Sequence, residues 1–200
     1  MPIAVTSSGR PTTYPLSLEE AKAHLRVDHT DEDAYIQALI KAITTRVEGY
    51  LGRPLINTQF QWQLDRFPSD YTLYFPQPPL VSVDSITYLA SSDGNSTSWG
   101  STYYNVDTIS QPGRLEPAYE ESWPSNVRVQ NNAVTIKFTA GYGSASTDVP
   151  ADIQLGMKLM LGHAYENRQD VIVGTGFYTK LPMGSQFFLD SYRNYAFEGY

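Results

Sequence analysis

Hydrophobic positions along the chain follow three regimes. In residues 14–54, YPLSLEEAKAHLRVDHTDEDAYIQALIKAITTRVEGYLGRP, they recur with helical spacing. From Leu55 to Ala140 they alternate with polar residues, and after Gly143 the helical spacing returns. The clearest stripe is Ile36, Leu39, Ile40, Ile43, Val47 and Tyr50, at i, i+3, i+4, i+7, i+11 and i+14. That spacing lines one face of a long amphipathic helix and leaves Gln37, Lys41, Thr44 and Glu48 on a polar face. A shorter helix precedes it. Ser17 and Glu20 have the S-x-x-E spacing of a capping box, and Leu18, Ala21 and Leu25 face inward. The acidic elbow at 28–33 reads as the cap and first turn of the long helix, with Thr30 or Asp31 as N-cap. Gly52 and Pro54 end that helix, so the two form a helical hairpin.

The middle reads as strands. Phe60, Trp62 and Leu64 alternate with Gln61, Gln63 and Asp65; Val134, Ile136 and Phe138 alternate in the same way. Residues 71–75 and 81–89 are further strands. Residues 102–109 and 126–129 are weaker ones around a loop at 111–124, and SSDGNSTS at 91–98 is a polar turn. Beyond Pro150, Ile153, Met157, Met160 and Leu161 form a second helical stripe, and Leu155 and Leu159 extend the apolar surface past it. A last helix runs from Met183 to about Tyr195. The fold class is therefore α+β: an N-terminal helical hairpin, a central antiparallel sheet or sandwich, and C-terminal helices packing on the first ones. The division follows as a flexible arm at 1–13, a helical domain at 14–54 and 148–195, a β insertion at 55–147 and a tail at 196–200. Both helical stripes, Ile36, Leu39, Ile40, Ile43 and Val47 with Ile153, Met157, Met160 and Leu161, are candidates for the core or a subunit interface.

Composition narrows the function. The chain has 200 residues and a net charge of −7, from 14 basic and 21 acidic side chains. Tight binding to nucleic acid needs a basic excess. An acidic surface instead lets DNA pass without adhering. Fifteen tyrosines suit either contacts that are half buried and half wet or the strands in which tyrosine is common. With no cysteine, thiolate metal sites and cysteine nucleophiles are excluded. No membrane span and no signal peptide is expected.

The search for catalytic chemistry yields little. His24, His29 and His163 lack metal-ligand spacing. The acidic elbow lacks the alternating oxygens and central glycine of a calcium loop. Gly174-Thr-Gly176 follows no βαβ unit. The expectation is a structural protein without cofactor, with an enzyme or a DNA-binding packaging module as the alternatives.

The two ends of the chain resemble the head–tail connector, or adaptor, proteins of tailed phages, in their longer form with a β insertion. The likeness rests on Leu18, Glu20, Ala21, Lys22 and residues 24–28, followed by Val47, Glu48, Tyr50, Gly52, Arg53 and Leu55. It continues in P-A-D-I at 150–153, in Glu-Asn-Arg at 166–168, and in Leu181, Pro182, Gly184, Leu189, Tyr192 and Arg193. The resemblance implies a virion neck protein, shared with gene transfer agents. It implies a dodecameric ring between the portal protein and a stopper or tail protein, through which double-stranded DNA passes without sequence-specific binding. It also implies that the C-terminal segment docks on the portal, with Tyr192, Tyr195, Phe197 and Tyr200 as anchors.

Overall fold

The computed structural model describes residues 4–9, 11–168 and 183–195. The chain forms two compact units. One holds residues 57–142 with the flanking ends of the chain, and the other holds residues 12–56 and 143–194.

The helical unit begins with α1 (Leu18–Leu25) and α2 (Asp33–Leu51). Ser17 caps α1 as its spacing predicts. Its hydroxyl accepts the Glu20 amide at 3.1 Å while the Glu20 carboxylate accepts the Ser17 amide at 3.1 Å. Such a cap is worth about 1 kcal/mol. Gly52, at φ 64°, ends α2 in the left-handed conformation that glycine adopts without a Cβ clash. The start of α2 differs from the expectation. Its N-cap is Glu32, and neither Thr30 nor Asp31 supplies a capping side chain. The elbow carboxylates are used across helices instead, as described below. α3 (Ala151–Glu166) and α4 (Met183–Leu189) complete the unit, and a short 3-10 turn (Asp190–Tyr192) follows α4. The C-terminal helix is thus shorter than the expected 183–195. α3 packs on both α1 and α2, and α4 packs on α3. Ile36, Val47, Ile153, Met157 and Leu161 are fully buried in this unit.

The β unit contains two antiparallel sheets. The larger has the order β1 (Ala4–Gly9), β2 (Thr58–Leu64), β8 (Val134–Ala140), β4 (Leu80–Leu89), β5 (Ser96–Trp99). The smaller has the order β3 (Leu73–Tyr74), β7 (Arg114–Pro117), β6 (Tyr104–Asp107). Apolar residues from both sheets share one core: Trp62, Phe75, Ile86, Trp99, Leu115, Ile136 and Phe138. Phe138 sits 5.4 Å from the Phe60 ring and 5.0 Å from the Phe75 ring.

Three features of this unit correct the reading of the sequence. Residues 4–9, expected to belong to a flexible arm, form strand β1, paired antiparallel with β2 from Ala4↔Gln63 to Gly9↔Gln59. The backbone groups on the edge of β2 supply the pairing, so the segment needs no apolar alternation of its own. β7 lies inside the stretch read as a loop, and β5 begins inside the stretch read as a turn and runs one residue past it. Residues 126–129 form only a single bridge, Ala90↔Val127.

Candidate assembly surfaces

The two helical stripes are spent on the interior. Ile36, Ile40, Ile43, Val47, Ile153, Met157, Met160 and Leu161 are all buried, and Leu39 is half-buried. Thr44, expected on the polar face, is buried as well, and its hydroxyl donates back to the Ile40 carbonyl at 2.8 Å. Glu48 accepts the Leu55 amide at 2.9 Å and so holds the chain as it leaves α2. Of the expected polar face, Gln37 and Lys41 remain exposed.

What fixes the helices to one another is a set of polar clamps at their ends. Lys22 on α1 bonds Asp33 on α2 at 2.6 Å. Glu32 accepts both the Tyr165 hydroxyl and the Arg168 guanidinium, which join the end of α3 to the start of α2. Arg168 also lies over the Tyr35 and Tyr165 rings, at 4.7 and 5.1 Å from their centroids. The Glu-Asn-Arg turn thereby has a structural role. Asn167 closes α3 through two bonds to the His163 carbonyl, and Arg168 pins the chain as it leaves the helix. The Tyr165 and Arg168 bonds hold the Glu32 carboxyl below its ordinary value of 4.5, and the same carboxylate raises the Tyr165 hydroxyl. A carboxyl lowered in the folded state stabilises fully above its unfolded pKa, and that contribution is lost as pH falls through the folded value. Acid titration below about pH 4.5 is therefore expected to loosen the clamp. In urea melts followed by helical circular dichroism, Glu32→Gln should flatten the acid limb of the stability profile. An unchanged acid limb would count against this role.

A second clamp joins the C-terminal segment to the end of α2. Tyr50 donates its hydroxyl to Asp190 and accepts from Gln186 at 3.1 Å, while Arg193 lies 5.1 Å from the Tyr50 ring centroid. Burial, reinforced by the Asp190 bond, raises the Tyr50 hydroxyl. The Asn194 amide donates to the Leu51 carbonyl at 2.8 Å. Beneath α4, Gly156 makes the close approach possible. A Cβ there would stand 3.1 Å from Leu189 Cγ and 3.3 Å from the Ser185 carbonyl. Neither clamp was legible in the sequence. Gly156 carried the available signal, since a glycine in a helix interior costs about 1 kcal/mol and asks for a packing reason.

Of the expected portal anchors, Tyr192 is half-buried with its hydroxyl 3.4 Å from Asp152, and Tyr195 is 60 % exposed. Phe197 and Tyr200 lie outside the described residues. The exposed apolar surface of the helical unit is elsewhere: Leu155 and Leu159 on α3 and Phe187 on α4, the last 78 % exposed. The β unit exposes tyrosines around the end of β7. Tyr71 donates its hydroxyl to the Pro117 carbonyl at 2.9 Å, the Tyr103 carbonyl accepts the Ala118 amide at 2.9 Å, and Tyr119 is 87 % exposed. Among the described residues, no group of three or more metal-ligating side chains comes together. No helix among them is long and apolar enough to cross a membrane.

Among the described residues, these side chains clamp the helices to one another. The family model for the head completion protein matches residues 16–177, and the chain belongs to that family. It is the family of head–tail connectors that the residues of the two helical ends resemble. Among solved structures, the chain is similar to a component of the neck of an empty gene transfer agent particle computed with C6 symmetry, at 21 % identity. That match has a TM-score of 0.79 and covers 98 % of both chains. A chain in the virion of the native particle matches equally well, and one in the native neck computed with C12 symmetry has a TM-score of 0.71 at the same identity. No curated protein sequence matches.

Proposed function

We propose that the chain forms a closed ring in the neck of a particle, between the portal and the stopper or tail, and that DNA leaves through its lumen. The observation that carries this reading is the family match over residues 16–177. The necks to which the similar chains belong, computed with C6 and C12 symmetry, support a ring of twelve copies. The role requires no catalysis. It requires rigid subunits, and the two helix clamps supply rigidity to the helical unit. A net charge of −7 suits a channel that DNA must traverse without adhering. In this reading Tyr192, Tyr195, Phe197 and Tyr200 anchor the C-terminal segment in the portal, the partner on the head side. The stopper or tail protein is the partner on the other side.

The test is to mix the purified chain with a portal of its own particle type and to image the product. A stacked ring is expected. Removal of residues 195–200 should weaken portal binding at least tenfold while leaving the helical circular dichroism intact. Free portals beside unassembled chain would refute the reading, as would a salt-sensitive shift of duplex DNA by the isolated chain.

A further inference from the structure

A ring built from identical subunits needs two different patches on each copy, one complementary to the other and on another side of the molecule. The helical unit carries one such pair. On the reading that copies of this chain form a ring, we infer that Phe187 of one copy seats in the groove between residues 12–18 and α2 of the next.

The protruding half of the pair is Phe187. Its ring stands edge-on to Phe188 at 5.3 Å and is 78 % exposed. Leu155 and Leu159, at 40 % and 38 % exposure, extend the apolar surface along α3. An apolar ring left in water forgoes the gain of burial, so this surface gains from a cover. The receiving half is a groove of about 550 Å³. Its lining mixes Tyr14, Leu18 and the buried Leu16 and Ile40 with polar residues that include Thr13 and Gln37. On α2 the lining includes the exposed Ala38 and Lys41. An aromatic ring entering there meets apolar lining residues and Lys41, whose cation attracts a ring face. A volume near 550 Å³ lies within the range of pockets that bury a ligand larger than one ring.

The two halves lie on different sides of α3. The Gln154 side chain donates to the Pro15 carbonyl at 3.3 Å, which puts the groove segment on the Gln154 side of the helix. Gly156 faces Leu189 and Ser185, which puts α4 on the Gly156 side. At about 100° per residue these two directions are roughly 200° apart. Two different patches generate a head-to-tail chain that becomes a ring where the rotation closes, whereas a self-complementary patch stops at a dimer.

The absence of cysteine from the chain makes the contact directly testable. Phe187→Cys removes the seated ring and is expected to cut the assembled fraction at least tenfold, so the double variant, Phe187→Cys with Ala38→Cys, is mixed with portals at high subunit concentration and mildly oxidised. A reducible ladder of covalent oligomers is expected. An equimolar mixture of the two single variants should stop at dimers, and each single variant alone should stay monomeric under denaturation. Rings of the double variant that form at wild-type efficiency, or that yield no ladder, overturn the inference and leave the ring reading standing. Failure of the wild-type chain to form rings overturns both. Ala38→Trp, which fills the groove from an exposed position, is expected to cut the assembled fraction at least tenfold with an unchanged helical melt; wild-type assembly by that variant overturns the contact. The remaining occupant is the chain's own segment 169–182. In the free monomer, resistance of the Phe187→Cys thiol to maleimide would assign the patch to that segment and overturn the inference, whereas rapid labelling supports it.

Discussion

Phe138→Ala is expected to lower the stability of the β unit by about 3–5 kcal/mol, the usual cost of removing a buried aromatic ring. Phe138 is fully buried on β8, opposite Phe60 on one neighbouring strand and Val83 on the other. Its ring touches those of Phe60 and Phe75, so the cavity left behind is walled by stiff side chains that relax poorly. The measurement is unusually clean here. All three tryptophans, Trp62, Trp99 and Trp123, lie within residues 57–142, so their fluorescence reports the β unit alone. Circular dichroism at helical wavelengths reports the other unit. The fluorescence midpoint should fall by more than about 10 °C, while the helical transition moves far less. Equal shifts in both signals would show that the two units do not melt separately.

The second large effect is expected at Gly156. In Gly156→Leu the new side chain has no room, because its first carbon already stands 3.1 Å from Leu189 and 3.3 Å from a carbonyl of α4. Overpacking of this kind costs about 1–3 kcal/mol. α4 is short and carries Leu189 as its fully buried anchor, so it is the element that yields. The displaced α4 also loses the Tyr50–Asp190 and Gln186–Tyr50 bonds. The expected result is a stable three-helix remainder with increased amide exchange at 183–192 and loss of ring assembly. Gly156→Ala, which asks the neighbours to give by only a few tenths of an ångström, should keep both. Rings formed by the leucine variant at wild-type efficiency would show that the position of α4 does not matter for assembly.

Parts of this molecule could be read directly from residue order. The stripe from Ile36 to Val47 buries as its spacing predicts, because a helix fixes which side chains share a face. β2, β4 and β8 follow from alternation for the same reason. The missed strands have another cause. β5 is polar on three of its four positions, and β7 ends in a proline. Each is a strand because a neighbour offers hydrogen bonds at the right register, and that is not a local property.

The acidic elbow marks the boundary between the two kinds of information. By itself the sequence determined where the charge falls, where α1 begins and where α2 stops: carboxylates before a long helix, a capping box at Ser17, a glycine stop at Gly52. Local propensity and periodicity act within a few residues, so residue order fixes them. Tertiary structure alone decided what the charges do. Glu32 meets Tyr165 and Arg168, which follow it by 133 and 136 residues, and Tyr50 meets Asp190 across 140. Partners so far apart in sequence are chosen by how α2, α3 and α4 pack, and that packing depends on the shapes of buried faces and on one glycine that lets α4 lie close.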